Sequence, residues 1–202
     1  MTISFKVTPE QCLSITGTDK ENPVKSGIPI ADLGAGLYAV IGILSAIQSR
    51  EKNDFGEHVD ISMLDTQVSL LTYMATMHFL SGENPEPIGN QHMNHVPFNS
   101  YRTSDGFIQI GVVAEDFWPS LIEALDLRQL DTEENKVRIG RLKNRENIDE
   151  ALQEVFITNT TEHWLKILQE HRVPCGPINT LSETFEDADL LKRNMIVEVL
   201  QD

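Results

Sequence analysis

Residues Gly27 to Leu71 read GIPIADLGAGLYAVIGILSAIQSREKNDFGEHVDISMLDTQVSLL. Pro29 suits the first turn of a helix because an N–H group there would have no partner, and Asp32 complements the positive end of the helix dipole. Small residues then recur at spacings of three and four, which lets a second backbone come close; they are Ala31, Ala35, Ala39, Gly42 and Ala46. No glycine-rich loop precedes them, so packing is favoured over phosphate contact. The stretch predicts a packed helix from about Ala31.

The rest of this stretch predicts three further elements. Arg50 to Gly56 is a polar turn, and His58 to Ser62 alternates like a short strand. Ser62 and Asp65 have the spacing of a helix cap, so a second helix is expected from Met63 to about Leu80. This helix is apolar on several sides, and it should therefore contact more than one element.

The chain changes character after a break rich in Gly, Pro and Asn at Ser81 to Pro97. A β-hairpin is predicted next, because Phe98–Arg102 and Phe107–Val113 alternate around an Asp105-Gly106 turn. Further predictions are helices over residues 116–125, 145–156, 160–171 and 181–190, a non-helical turn over 173–178, and the start of a strand over 197–200. Because no strand–helix–strand unit repeats, this second part is predicted to be α+β.

Composition and charge exclude several functional classes. The 202 residues are 40% hydrophobic and 23% charged, and the net charge of -15 would repel nucleic acid and anionic membranes. No uninterrupted apolar run approaches the roughly 18 residues of a membrane span, and no targeting segment is recognisable. Cys12 and Cys175 are too few for a disulfide framework and fit a reducing compartment. We expect a cytoplasmic or organelle-matrix protein.

Four stretches, in this order, carry a resemblance to a known family. They are Gly27–Asp32 with Ala35–Leu37; Gly56–Asp65; Gly89-Asn90 followed by Pro97 and the Asp105-Gly106 turn; and Val173–Ile178. The chain resembles the class III coenzyme A transferases, which include carnitine, formate and succinate-linked enzymes and the related α-methylacyl-CoA racemases.

The resemblance implies a fold that combines α/β with α+β. Family members have a large Rossmann-like domain built from both chain ends, a small α+β domain, and two interlocked subunits. This chain is similar to the middle and C-terminal portion. The implied parts are residues 1–65 in the large domain, 66–87 as a linker helix, 88–180 as the small domain and 181–202 as a return segment. A homodimer is the expected assembly.

The chemistry that the resemblance implies needs a carboxylate. An aspartate attacks the donor thioester and then holds CoA as an acyl-enzyme thioester. The family places this aspartate about a dozen residues before a Ser-Ile-Thr-Gly turn, which matches Ser14–Gly17 here. The count back ends near Ile3, where no carboxylate is found, and Glu10 has the wrong spacing. We therefore assign no catalytic residue and expect no turnover by this chain alone. The resemblance implies a coenzyme A thioester as substrate, and no permanently bound cofactor is expected.

Two segments align with the family's substrate-contacting regions. His92, Met93 and Asn94 lie where the family has a mobile loop over the active site, and they are expected to shape the acyl pocket. The alternative is a surface loop with two exposed histidines. Val113, Ala114 and Glu115 align with a segment near bound CoA. Their alternative is a plain strand-to-helix loop with acidic residues at a helix N-terminus.

Other candidates are interpreted as structural. Asp60 and Asp65 are assigned to a strand end and a helix cap, and Cys175 is interpreted as a packed thiol in a turn. His92 and His95 lack a third ligand at a known spacing, so no metal is assigned. Three functions stay open: part of a CoA transferase, a relative of the acyl-CoA racemases, or a truncated product that binds or dimerises without catalysis.

Overall fold

A computed structural model describes residues 13–200, and it divides into two compact units between Gly89 and Asn90. The helices of the first unit that lie entirely within the described residues are α1 (Ile30–Asn53), α2 (Met63–Leu70) and α3 (Tyr73–Ser81). The second unit contains β1 (Phe98–Arg102), β2 (Phe107–Gly111), α4 (Phe117–Leu125), α5 (Arg138–Lys143), α6 (Arg145–Phe156), α7 (Thr161–Glu170), β3 (Cys175–Pro177), α8 (Leu181–Glu186) and α9 (Ala188–Lys192).

Small residues on α1 allow close packing in the first unit. A Cβ atom added at Gly34 would lie 2.9 Å from Cγ2 of Thr66 on α2, and one at Gly42 would lie 2.8 Å from Cγ1 of Val59. Both distances are too short for an unstrained side chain, so a larger residue would push the neighbouring segments away. The predicted role of the small residues in helix packing therefore has a structural basis at Gly42.

Several predictions for the first unit were wrong. Residues His58–Ser62 form no strand, and α1 continues to Asn53, so half of the predicted polar turn is helical. The long helix after Ser62 is instead two helices, because Thr72 adopts a φ of 48° and interrupts the helical backbone between α2 and α3. The Ser62 cap is confirmed, since its side chain accepts a hydrogen bond from the Asp65 backbone.

The helix α1 is also the one helix within residues 13–200 that is long and apolar enough to cross a membrane. The sequence expectation considered only uninterrupted apolar runs, and Gly42 and Ser45 interrupt the run in α1. The mean hydropathy of the helix nevertheless stays as high as that of a membrane span. Length and composition are weak evidence, since a core helix of a soluble protein has the same properties.

The second unit is built around a three-stranded antiparallel sheet in the order β1-β2-β3. Phe98 pairs with Gly111 and Arg102 with Phe107, while Ile110 pairs with Cys175 on the other side of β2. One face of the sheet is covered by helices, and the buried core includes Ile108, Ile110, Val112, Trp118, Leu121, Ile148, Leu152, Phe156, Trp164 and Leu168. The predicted hairpin and the predicted helices over 145–156 and 160–171 are confirmed in this unit.

Three predictions for the second unit need correction. The turn over 173–178 contains β3, which is non-helical as expected but pairs with β2. The last predicted helix divides into α8 and α9 at Asp187, whose side chain accepts hydrogen bonds from the Asp189 and Leu190 backbones. Residues Val197–Leu200 form no strand.

The predicted fold class, α/β combined with α+β, is confirmed as a mixed arrangement of helices and a small antiparallel sheet. The domain boundaries at 1–65, 66–87, 88–180 and 181–202 stay predictions. The expectation for Ile3 and Glu10 lies outside the described residues.

Candidate active-site loop

The predicted acyl-pocket residues lie on a loop that precedes β1. His92 and Met93 are half-buried and Asn94 is exposed, while Val96 and Pro97 are buried and joined by a cis peptide bond. The buried end of the loop fixes it to the sheet, because the Val112 backbone donates a hydrogen bond to the carbonyl of Pro97. His92 to Asn94 therefore project from an anchored base.

Three arginines donate hydrogen bonds to backbone carbonyls of this loop. The Arg138 guanidinium lies 3.4 Å from the Asn94 oxygen, Arg141 Nε lies 2.8 Å from the Val96 oxygen, and Arg145 Nη2 lies 2.7 Å from the His92 oxygen. Their sequence spacing of three and four is that of one helix face. The spacing is kept although α5 ends at Lys143 and α6 begins at Arg145. A continuous row of guanidinium groups thus follows the loop backbone.

Arg141 is the central member of this row and is only 2% exposed. Its Nη1 donates to the Asn135 carbonyl at 2.9 Å, and its Nη2 donates to Glu115 Oε2 at 2.7 Å. The guanidinium carbon lies 5.3 Å from the centre of the Trp118 ring. A buried charge is tolerated only when its hydrogen bonds are satisfied, and here each nitrogen of the guanidinium has an acceptor in a different segment.

Glu115 belongs to the second predicted segment, Val113 to Glu115, which is exposed. Its Oε1 accepts a hydrogen bond from the Arg138 backbone at 3.1 Å, in addition to the Arg141 contact. Burial acts to raise the pKa of Glu115, but the hydrogen bonds from Arg141 and Arg138 and their charges hold it below its ordinary value. Both predicted segments therefore contact Arg138, while Arg141 joins Glu115 to Val96 at the end of the same loop. Their roles in binding stay predictions.

His92 and His95 stack beside each other in the loop. Their ring centres are 4.7 Å apart, and the His92 ring is 5.3 Å from that of Phe98. Nδ1 of His92 accepts a hydrogen bond from the Asn94 backbone, which requires that nitrogen to be unprotonated. Burial, His95 and Arg145 all lower the pKa of His92, so the neutral ring is favoured at neutral pH. No group of three or more His, Cys, Asp or Glu side chains in the described part of the chain is placed to hold a metal ion.

A second polar cluster connects the start of the loop to the sheet and to α6. The Tyr101 hydroxyl on β1 donates to Asp149 Oδ1 at 2.5 Å, and Gln91 Nε2 donates to Oδ2 of the same carboxylate at 3.1 Å. Burial raises the pKa of Asp149 although its hydrogen bonds and Arg145 act in the opposite direction. Burial and the Asp149 carboxylate also raise the pKa of Tyr101. The cluster links β1, α6 and the start of the loop.

The comparison with known proteins decides the family. Residues 11–202 match the sequence pattern of CoA-transferase family III. The chain belongs to this family. It is 29% identical to human succinyl-CoA:glutarate CoA-transferase over 93% of this chain and 43% of the relative. It is 32% identical to succinyl-CoA:mesaconate CoA-transferase of Haloarcula marismortui over 94% of this chain and 47% of the relative.

Solved structures give the same result for this family III chain. A crystal structure of a CAIB/BAIF family protein from Brucella suis is 30% identical, with a TM-score of 0.78, over 91% of this chain and 49% of that chain. Rv3272 from Mycobacterium tuberculosis reaches a TM-score of 0.80 at 19% identity, over 95% of this chain and 51% of that chain, which shows a shared fold. The chain spans about half the length of the relatives it matches. The predicted family resemblance is confirmed.

The other residues singled out from the sequence belong to other elements. Asp65 supplies the backbone N–H that Ser62 caps, while Asp60 lies in a segment without regular structure in the first unit. Cys175 is half-buried on β3, and burial raises the pKa of its thiol. A raised pKa disfavours the reactive thiolate, which agrees with its interpretation as a packed thiol.

The sequence interpretation missed the residues that hold the site together. Arg138, Arg141, Arg145 and Asp149 were assigned no role, and the helix α5 was not predicted. One signal was available, because Lys136 to Arg145 carries five cations and no acid in a chain of net charge -15.

Proposed function

We propose that this family III chain supplies acyl-CoA-binding elements of a CoA transferase, which moves CoA from one carboxylic acid to another. The family match over residues 11–202 carries the proposal. Relatives in humans and in Haloarcula marismortui are named for transfer from succinyl-CoA to glutarate and to mesaconate. Short dicarboxylic acyl groups are therefore the proposed substrate class.

Within this function, we assign His92, Met93 and Asn94 to the acyl pocket and Val113, Ala114 and Glu115 to the CoA contact. The support is that both segments contact Arg138 or Arg141, through Asn94 on one side and Glu115 on the other. Five cations in Lys136–Arg145 also concentrate positive charge beside these segments. An anionic ligand such as CoA or a dicarboxylate is attracted to such a region despite the net negative charge.

The covalent step of the transfer requires a carboxylate that this chain does not have near Ile3, the position that the resemblance indicates. We propose that the chain binds acyl-CoA without transferring CoA, and that another polypeptide segment supplies the nucleophile. The proposed assembly is a homodimer, in the cytoplasm or an organelle matrix, without nucleic acid or membrane partners.

Binding and turnover are tested separately. Titration calorimetry with succinyl-CoA should detect binding to the purified chain, and Asn94→Ala should weaken it by about tenfold, as expected for one lost polar contact. Asn147→Ala removes the same side chain from an exposed position on α6 and should leave the affinity unchanged. Equal affinities for both variants would remove Asn94 from the site.

Turnover is measured by incubating the chain with succinyl-CoA and glutarate and by detecting new CoA esters with mass spectrometry. We expect none from the chain alone. Robust formation of glutaryl-CoA would contradict the missing nucleophile and would place the carboxylate within this chain. Deuterium incorporation at the α-carbon of a 2-methylacyl-CoA, without a new CoA ester, would instead support the racemase alternative.

A further inference from the structure

We infer that Arg141 is a positioning residue that holds the loop His92–Val96 against the Glu115 segment, so that both parts of the proposed site keep a fixed relative position. The contacts of Arg141 do not depend on the proposed function, whereas the consequence for ligand binding rests on it. Arg141 contacts the loop through Val96 and the second segment through Glu115.

The fork shape of the guanidinium makes this link specific. Nε, Nη1 and Nη2 each donate to a different acceptor, and the group is buried over Trp118. A lysine has the same charge but a single nitrogen on a flexible stem, so it cannot reproduce three planar hydrogen bonds. Replacement by lysine would leave buried carbonyls without donors, which is unfavourable.

The loop is fixed mainly by hydrogen bonds from residues outside it. It contains no glycine between Asn90 and Pro97, and three of its carbonyls accept hydrogen bonds from Arg138, Arg141 and Arg145. A loop fixed before ligand binding loses less conformational entropy when the ligand binds. Arg141 therefore acts on affinity through the loop and does not need to touch the ligand.

Backbone relaxation measured by NMR on the full chain tests the link directly. In the parent protein the amides of His92–Val96 should have order parameters of about 0.85, and in Arg141→Lys they should fall below about 0.6. Lys143→Gln is the matched control, because it removes an exposed charge from the same helix. It should leave the order parameters unchanged. Unchanged values in Arg141→Lys would overturn the inference.

A coupling experiment separates positioning from a general structural role. Glu115→Gln weakens the charge-assisted contact on the far side of Arg141, and it should lower the order parameters of the loop. The same change in the Arg141→Lys background should have no further effect. Additive effects of the two changes would contradict transmission through Arg141. Because Glu115 is 56% exposed, its variant is expected to fold even where an Arg141 variant does not.

Succinyl-CoA binding gives the functional readout. Arg141→Lys should lower the affinity by about tenfold or more, as expected for a lost preorganising contact. Lys166→Gln, which removes an exposed charge from α7, should change the affinity less than twofold. A mobile loop with unchanged affinity would overturn the role in binding. If the parent does not bind succinyl-CoA, the proposed function fails, and the relaxation data still decide whether Arg141 positions the loop.

Discussion

The Tyr101 hydroxyl donates a hydrogen bond to the carboxylate of Asp149, which is only partly exposed to water. Gln91 donates a second hydrogen bond to the same carboxylate. Tyr101→Phe leaves the packing of the ring in place but removes this donor. We expect the free energy of unfolding of the second unit to fall by about 1.5–3 kcal/mol, the usual value of a hydrogen bond to a charged group.

Tryptophan fluorescence during urea unfolding measures this change selectively. The two tryptophans of the chain, Trp118 and Trp164, both lie in the second unit. Tyr38→Phe removes a hydroxyl of the first unit that accepts a hydrogen bond from Ser69, and it should leave the tryptophan transition in place. An unchanged midpoint in Tyr101→Phe would show that water replaces the hydroxyl without cost.

Asp149 should give the second unit a distinctive pH dependence. Burial raises its pKa above the ordinary 3.8, so the folded state binds a proton more readily than the unfolded state between 3.8 and the raised value. Stability therefore falls as the pH rises through this window. Asp149→Asn does not titrate and should flatten the unfolding midpoint against pH there. Tyr101, Gln91 and Arg145 face the carboxylate and are kept in this variant.

Asp105 provides the comparison of opposite sign. The backbone hydrogen bond from Thr161 is the main cause that lowers the pKa of Asp105. Ionised Asp105 therefore stabilises the folded state above pH 3.8, and this contribution is lost only as the pH falls through the lowered pKa. Asp105→Asn should therefore lower the unfolding midpoint by a constant amount above pH 3.8 and remove the loss of stability at lower pH, so its slope in the Asp149 window should match that of the parent. A common slope in both variants and the parent would contradict the assignment to Asp149.

Single residues were predicted unevenly from the sequence. The family resemblance located His92–Asn94 and Val113–Glu115, which both contact Arg138 in the structure. Arg141 was missed because its main loop acceptor, the Val96 carbonyl, is distant in the chain and carries no sequence signal. A buried arginine has the same residue pattern as a solvated one, since burial depends on the tertiary structure.

A helix cap stabilises a single element, and the contribution of the cap to stability can be measured on α7. The Thr160 side chain accepts a hydrogen bond from the His163 backbone at 3.3 Å, and α7 packs Trp164 and Leu168 into the core. Thr160→Ala should lower the free energy of unfolding by about 1 kcal/mol, the usual value of an N-cap. The midpoint of the tryptophan transition measures it.

A matched cap on α8 serves as the control for this prediction. Thr180 accepts a hydrogen bond from the Glu183 backbone at the same distance of 3.3 Å, but α8 buries none of its residues. Thr180→Ala should therefore change the tryptophan transition by less than about 0.5 kcal/mol. Equal effects of the two substitutions would show that α8 unfolds together with the core.

Elements with local signals were predicted well, and those that depend on distant partners were not. The hairpin has alternating residues around a turn, and α7 has a threonine cap, so neither needs tertiary information. The strand β3 contains Gly176 and Pro177, which disfavour strands, and it forms because β2 offers an unpaired edge. The break at Thr72 also has no local signal, since no glycine or proline marks it.

At the scale of the whole molecule, α1 leaves a large apolar surface in contact with solvent. Leu37 is 67% exposed, and Ile41 and Leu44 are each 61% exposed, although they lie on one face of the helix. Exposed apolar patches of this kind mark interaction surfaces in soluble proteins. We therefore expect the purified chain to self-associate through α1, in keeping with the proposed homodimer.

Sedimentation velocity on a triple variant tests this surface. Leu37→Gln, Ile41→Gln and Leu44→Gln together keep good helix formers on α1 while removing the apolar contact, so the variant should sediment as a monomer with unchanged helicity by circular dichroism. The matched control changes Leu191, Met195 and Val199 to glutamine, three exposed apolar residues near the other end of the chain. This control should associate like the parent, because it removes the same number of exposed apolar side chains from residues outside α1. A parent that remains monomeric at every accessible concentration, or a control that dissociates as completely as the α1 variant, would show that α1 is not the surface that joins two copies.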